Sequence, residues 1–314
     1  MGMKAIICNK IREEDPDYFL KGWRIPHIQL ENIGWVTVDQ KEIGKKLGDF
    51  FTKKYNELPA VILFWNTNTF ISDHWDEILK NKWMKCIYMD DLHQTSSKVI
   101  NFRNLVLKHF DYIFSTYAYV LSTFYPLALP EKIVWYPHCV NDKFNVGFNT
   151  NPKNRILLTG DLTKTVYPFR FHVSNLAKRY PIDILQQMSF KHPSHPYFGR
   201  KYIEYINGYI ASVTCCSNER TPYIIAKFFE IPASGALLLA YEALVKEPLK
   251  ELGFVDGEHY ISVNYNNIVE KIQYVTNPKN RTEVDRIRSN GYNFIWANHT
   301  ILNRIKVIED RTRV

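Results

Sequence analysis

Short, uninterrupted apolar runs alternate with helix-like segments along this chain of 314 residues, and that alternation restricts the fold more than any other feature. Ala60–Trp65 reads AVILFW and Met84–Met89 reads MKCIYM. Runs that are apolar at every position, rather than at every second one, fit parallel strands covered on both faces. Lys4–Cys8, Trp35–Val38, Tyr112–Ser115 and Lys132–Tyr136 read the same way, with helical stretches such as Lys41–Tyr55 and Asp73–Asn81 between them. Strands alternating with helices predict a doubly wound α/β domain. The pattern breaks over residues 141–154, NDKFNVGFNTNPKN, which reads as a linker. It then restarts. Arg155–Thr159, Pro181–Leu185, Ala211–Cys215, Ala236–Leu239 and Tyr260–Val263 are strand-like. His172–Arg179, Lys201–Asn207, Pro222–Phe229 and Asn267–Thr276 are helix-like, and residues 281–308 are mostly helical in pattern. At about 150 residues per domain, two domains are expected. They are placed at residues 1–145 and 150–292, with a terminal helix over 293–314. Two such halves predict a cleft, with ligands at the carboxyl ends of the strands.

The bulk properties exclude several classes. The net charge of +8 favours anionic partners. The basic residues are dispersed, with Lys53-Lys54 and the nearby Lys45-Lys46 the densest grouping, so phosphorylated small molecules are expected rather than nucleic acid. The five cysteines, Cys8, Cys86, Cys139, Cys215 and Cys216, form no C-x-x-C pair and sit mostly in apolar runs. They read as reduced, buried thiols, not as a zinc or disulfide framework, and imply a cytoplasmic protein. No apolar stretch approaches the ~20 residues of a membrane span, and the first residues lack a signal-type apolar region.

Three segments bear residues able to do chemistry on a phosphorylated ligand. In Lys227-Phe-Phe-Glu230-Ile-Pro-Ala-Ser-Gly235, Lys227 and Glu230 are three apart on one helical face. A carboxylate there is able to accept both hydroxyls of a ribose, and Gly235 allows close backbone approach; an ordinary surface ion pair fits the same residues. Gly160 ends a strand, and the loop after it brings Lys164, Tyr167 and Arg170 to a helix start, a setting suited to a diphosphate, or simply a basic loop. Met89-Asp90-Asp91-Leu92-His93 follows a strand, where Asp91 or His93 would serve as general base on a hydroxyl, or as a helix cap and a surface histidine. His192 and His195 lack a carboxylate or cysteine partner nearby in sequence, so loop packing or base contacts are expected of them, and no metal site.

The Lys227–Leu239 segment resembles the R-x-F-E-a-x-A-x-G-x-x-L-L motif of GT-B glycosyltransferases, in particular the CgeB-like group of the glycosyl transferases group 1. Leu249–Val263, Ile268–Asn277 and Ile287–His299 are similar to that group's following segments, in the same order. Leu158–Arg170 is similar to its G-x-x-x-x-x-Y-P-x-R segment, and His192-Pro-Ser-His195-Pro-Tyr197 resembles its H-P-x-Y loop. The resemblance implies two Rossmann-like domains facing a cleft, a first domain for a glycan or glycoconjugate acceptor, and a second for a nucleoside-diphosphate sugar such as a UDP- or GDP-sugar. By that resemblance Glu230 holds the donor ribose, Arg170 and Lys227 neutralise its diphosphate, and no metal or other cofactor is needed. The terminal helix would cross back to the first domain. One position departs from the pattern: many retaining members carry a glutamate where this chain has Pro222, which brings in Asn218, Glu219 and Arg220 as candidate sugar contacts. The same features leave open an inactive GT-B-like binding protein or a nucleotide-sugar epimerase.

Overall fold

The computed structural model describes residues 2–9, 26–65, 68–93, 96–186 and 199–313. Contacts divide the chain into two compact units, residues 1–137 with 302–314, and residues 138–301.

The first unit is a six-stranded sheet. Its strands are β1 (Lys4–Cys8), β2 (Val36–Asp39), β3 (Val61–Trp65), β4 (Met84–Met89), β5 (Tyr112–Ser115) and β6 (Ile133–Trp135), in spatial order β2-β1-β3-β4-β5-β6. Every pairing is parallel. All five residues of β3 are buried, which is why AVILFW shows no alternation: the strand is central and covered on both faces. Burying each such side chain contributes about 1.5–3 kcal/mol, enough for the central strands to fix the register of the rest. The terminal helix, Ile301–Arg311, belongs to this unit from residue 302 onward. Its Glu309 accepts hydrogen bonds from Lys4 Nζ at 3.3 Å and Trp35 Nε1 at 2.6 Å, and Arg304 Nε donates to the Pro137 carbonyl at 2.9 Å.

The second unit holds β7 (Lys153–Gly160), β8 (Ile182–Gln186), β9 (Tyr209–Cys215), β10 (Leu237–Tyr241) and β11 (Ile261–Ser262), in spatial order β11-β10-β9-β7-β8 and again all parallel. Counted from β7, this is the same order that the first sheet shows from β1. In each, the second strand lies to one side of the first and the rest to the other. The direction of winding reverses between β7 and β9, and the carboxyl ends of these two strands flank the crevice where open α/β sheets bind ligands. β9 is buried over its full length; Ser212 within it satisfies its hydroxyl on the Leu157 carbonyl at 2.8 Å.

Several local expectations shift. The helix expected over Lys41–Tyr55 becomes a 3₁₀ turn at Gln40–Glu42 and a helix at Leu47–Tyr55, with Gly44 in the gap. The helix expected over Pro222–Phe229 instead spans Lys227–Ala233. Asn218 Oδ1 takes the amide protons of Arg220 and Thr221, at 3.0 and 3.2 Å, and holds the preceding segment in a turn. The helix runs on through Pro232, whose ring is buried. The helix expected from His172 begins earlier, at Pro168, where the missing amide proton costs nothing.

Candidate functional site

β7 ends at Gly160 with φ of +94°, a conformation open to glycine and strained for other residues. Glycine is required there for a second reason. A Cβ would lie 2.8 Å from Lys227 Cε, 3.0 Å from Arg170 Nη1 and 3.5 Å from Lys227 Nζ. The strand end is therefore packed against two cations that the sequence separates by 57 residues. Lying 3.0 and 3.5 Å from the same point, their terminal nitrogens are at most about 6.5 Å apart. Two like charges at that distance repel by on the order of 2 kcal/mol at an effective dielectric of about 20.

No carboxylate of a described residue relieves this repulsion. Among the described residues no ion pair involves Arg170 or Lys227. Arg170 is 2% exposed. Its Nη1 donates to the Asp161 carbonyl at 3.2 Å, while Nε and Nη2 are buried without an acceptor among the described residues. Its guanidinium lies 3.7 Å from the Tyr167 ring centroid, a cation–π contact. The neighbouring thiols are not counter-ions. Burial pushes the Cys215 pKa up, with Arg170 pulling it partly back, and burial pushes Cys216 up to about 12. Both stay neutral at pH 7. Lys227 Nζ donates to Tyr202 Oη at 2.8 Å, and that hydroxyl meets Thr159 Oγ1 at 2.6 Å. Tyr202 and Thr159, absent from the sequence-based candidates, thus orient the lysine. Tyr202 lies on the Gly199–Asn207 helix, where its spacing reads as ordinary amphipathic packing.

The loop between Gly160 and the Pro168–Leu176 helix is built from its own side chains. Asp161 Oδ1 accepts from the Thr163 amide at 2.9 Å and hydroxyl at 2.6 Å. Asn218 Nδ2 donates to the Thr165 carbonyl at 3.1 Å and Ser217 Oγ to the Val166 carbonyl at 3.3 Å, tying this loop to the segment after β9. Asn218 is thereby occupied in joining two loops. The helix that follows has no side-chain cap at its N-terminus. Lys164 is exposed, with Nζ 5.8 Å from the Phe171 ring centroid. Glu230 lies one turn beyond Lys227 on its helix and is partly exposed. The ion pair with Lys227 does not form. The Glu230 carboxylate has no hydrogen bond or ion pair with any described residue.

Gly235 is elsewhere. Ile156 of β7 and Leu237 of β10 both stand in register with Ala211. Gly160 is four residues after one and Gly235 two before the other, so about six strand steps, roughly 20 Å, separate them. Gly235 lies at the amino ends of the strands, where a Cβ would meet the Phe148 ring at 3.1 Å and where its carbonyl accepts from Arg288 Nε at 2.9 Å. Its close approach is to a ring and a helix of its own unit. His192 falls outside the described residues.

In the first unit, Asp91 and His93 are exposed on the loop after β4. Asp91 adopts φ of +43°, and the Asp90 carboxylate accepts its amide proton at 3.0 Å. The loop is held from beneath: Tyr125 Oη donates to the Leu92 carbonyl at 2.7 Å, and buried Arg103 donates to Tyr125 Oη at 2.7 Å and to the Asp91 carbonyl at 3.4 Å. Trp65 at the end of β3 stacks on Tyr88 with centroids 3.8 Å apart and is fully buried. No group of three or more potential metal ligands occurs among the described residues, and no helix among them is long and apolar enough to cross a membrane.

Residues 159–310, from the strand end at the cation pair to the terminal helix, match the family described as "Glycosyl transferase-like". The whole fold is similar to that of a glycosyltransferase from Rickettsia africae ESF-5, at 12% identity and a TM-score of 0.61 over 100% of both chains. It is similar to HepE of Anabaena, solved with UDP and glucose, at 10% identity and 0.59 over 99% of both. The sucrose-phosphate synthase of Thermosynechococcus elongatus gives 12% identity and 0.56, covering 98% of this chain and 88% of that one. The fold is that of the GT-B glycosyltransferases, and the second half of the chain carries the match to the glycosyl transferase-like family. No curated protein sequence matches it significantly. The two parallel sheets expected from the sequence are those of the GT-B fold, and the family resemblance is borne out at the level of the broad glycosyltransferase family. Within the GT-B frame, Gly160, Arg170 and Lys227 converge at the β7/β9 switch point, and Tyr202 joins them.

Proposed function

We propose that the chain transfers a sugar from a nucleoside-diphosphate sugar to a hydroxyl of a glycan or other acceptor, without a metal ion. The observation that carries this reading is the pair of cations at Gly160 that no described residue neutralises, one of them buried with two guanidinium nitrogens lacking an acceptor among the described residues. A buried, under-satisfied guanidinium is costly, and a diphosphate would supply both the charge and the acceptor oxygens. The leaving group of such a donor is a nucleoside diphosphate on which negative charge grows as the glycosidic bond breaks. Fixed cations that stabilise that charge lower the barrier and take the role a metal would otherwise have. HepE is described in complex with UDP-glucose, which makes a UDP-sugar the first donor to test.

Glu230 is assigned to the donor ribose. Its carboxylate is uncommitted and lies on the same helical face as Lys227, so it is placed to accept two hydroxyls of a nucleoside whose phosphates rest on the cations. The acceptor is assigned to the first unit, with the Asp91–His93 loop at the carboxyl end of β4 supplying the base for an inverting transfer. The reaction is placed in the cytoplasm, where nucleotide sugars are made. Thermal unfolding with UDP, GDP, dTDP and ADP in the presence of EDTA tests the reading. One nucleotide is expected to raise the midpoint, by linkage. A shift that appears only with added divalent cation would refute metal independence, and no shift with any of them would refute the donor site.

A further inference from the structure

The loop after β4 contains a strained residue that buried groups hold in place. Asp91 has φ of +43°, a left-handed conformation that its β-carbon disfavours. Such strain persists only where the surroundings impose it, and it collects at working sites. Here the surroundings impose it from several sides. Leu92, between the exposed Asp91 and His93, is 1% exposed and anchors the loop in the core. The Leu92 carbonyl accepts from Tyr125 Oη at 2.7 Å, and the Asp91 carbonyl accepts from Arg103 Nη1 at 3.4 Å. The Asp90 carboxylate takes the Asp91 amide proton at 3.0 Å.

Arg103, on the Ser97–Leu107 helix, and Tyr125, at the end of the Ala118–Phe124 helix, act as one unit. Arg103 Nη1 donates to Tyr125 Oη at 2.7 Å. A guanidinium only donates, so this bond occupies a lone pair of the phenol and leaves its O–H for the Leu92 carbonyl. Both side chains are buried, Arg103 at 6% and Tyr125 at 1% exposure. Among the described residues no carboxylate pairs with Arg103, and its Nε finds no acceptor. A buried cation without a counter-ion is costly, and an apolar side chain of similar volume would fill the space at lower cost. What the arginine supplies is donors, one bond to the loop and one to the phenol that holds the next carbonyl.

We propose that Arg103 and Tyr125 are positioning residues, which fix the Asp91–His93 loop so that its base stays within reach of the attacking hydroxyl. The proposal rests on the assignment of the acceptor base to this loop. In that step the base takes the hydroxyl proton as the oxygen bonds to the anomeric carbon, and the bond to the diphosphate breaks with its electron pair leaving on the nucleotide. Arg103 and Tyr125 act on it only through the loop backbone.

The test uses Tyr125→Phe, which keeps the ring and deletes the hydroxyl, and Arg103→Met, which keeps the bulk of the stem. UDP release from UDP-glucose, with water as the acceptor, gives kcat and KM. Calorimetry with UDP reports on the donor site, and amide hydrogen exchange over residues 90–93 reports on the loop. Both variants should lower kcat by about ten- to a hundredfold, the scale of a misplaced reacting group. They should leave KM for UDP-glucose and affinity for UDP within about twofold, and speed exchange over residues 90–93. If Arg103→Met does not fold, Tyr125→Phe alone decides. Asp91→Asn and His93→Gln, measured alongside, separate the two levels. If either lowers kcat and Tyr125→Phe does not, the base reading stands and the positioning role is overturned. If neither lowers kcat, the base reading fails and the positioning role fails with it. A fall in kcat matched by an equal loss of UDP affinity would show a merely structural defect, and would also overturn the proposal.

Discussion

The second unit contains two constellations made of the same parts, and they differ in one respect. At the amino ends of its strands, Gly235 with positive φ packs against Phe148, whose ring lies beneath Arg288 at 4.9 Å. At the carboxyl ends, Gly160 with positive φ packs against Arg170, which lies over Tyr167 at 3.7 Å. Arg288 is 1% exposed and bonded on every nitrogen: Nε to the Gly235 carbonyl, Nη1 to Asp285 and Nη2 to the Asn149 carbonyl. Arg170 is equally buried and holds one backbone carbonyl. The first arrangement is complete and fastens the residues before β7 to the Arg281–Asn298 helix. The second is not closed by a carboxylate of any described residue. Burial and residue type are shared; the two arginines differ in how many of their nitrogens find an acceptor among the described residues.

That contrast is open to attack by mutation. Arg288→Ala should cost about 2–6 kcal/mol, because it leaves the Gly235 and Asn149 carbonyls without their donor at about 1–3 kcal/mol each; chemical denaturation measures this, and a loss below 1 kcal/mol would erase the distinction. Arg170→Ala should cost less stability than Arg288→Ala, since it removes one hydrogen bond and one cation–π contact together with a charge that no described residue neutralises. It should lower transfer from the donor sugar by a hundredfold or more, the scale of losing one fixed stabiliser of developing charge, about 2.7–4 kcal/mol. Steady-state rates on wild type and variant decide the point. Glu230→Ala should weaken nucleotide binding ten- to a hundredfold, the loss of one or two hydrogen bonds to a charged group at about 1.5–3 kcal/mol, and should weaken the 2′,3′-dideoxynucleotide far less. Tyr202→Phe should have the smallest effect, a few-fold rise in KM for the donor, because Lys227 loses an orienting hydroxyl and keeps its charge; an unaltered KM would remove Tyr202 from the site.

The strands were the most legible part of the molecule. Met84–Met89 and Tyr112–Ser115 fall where the apolar runs place them, because a central parallel strand must be apolar on both faces. Gly160 was visible as the residue closing such a run. What lay beyond reach depended on register. Gly235 sits in a motif that suggests ligand contact, and only the pairing of β10 with β9 shows that it faces Phe148 at the other end of the sheet. Tyr202 reads as one more half-buried aromatic on an amphipathic helix, because its partners Thr159 and Lys227 are 43 and 25 residues away in sequence. Asn218 turns the chain at residues 220 and 221 by taking their backbone amides, a competition that apolar periodicity does not register, and the helix begins only at Lys227.

Soaking crystals of the full chain with UDP-glucose in the absence of divalent cations tests the donor assignment most directly. Diphosphate density is expected to bridge the Arg170 guanidinium and the Lys227 ammonium beside Gly160, with the Glu230 carboxylate on the ribose hydroxyls. A nucleotide bound elsewhere, with Arg170 and Lys227 still lacking an anion, would contradict it.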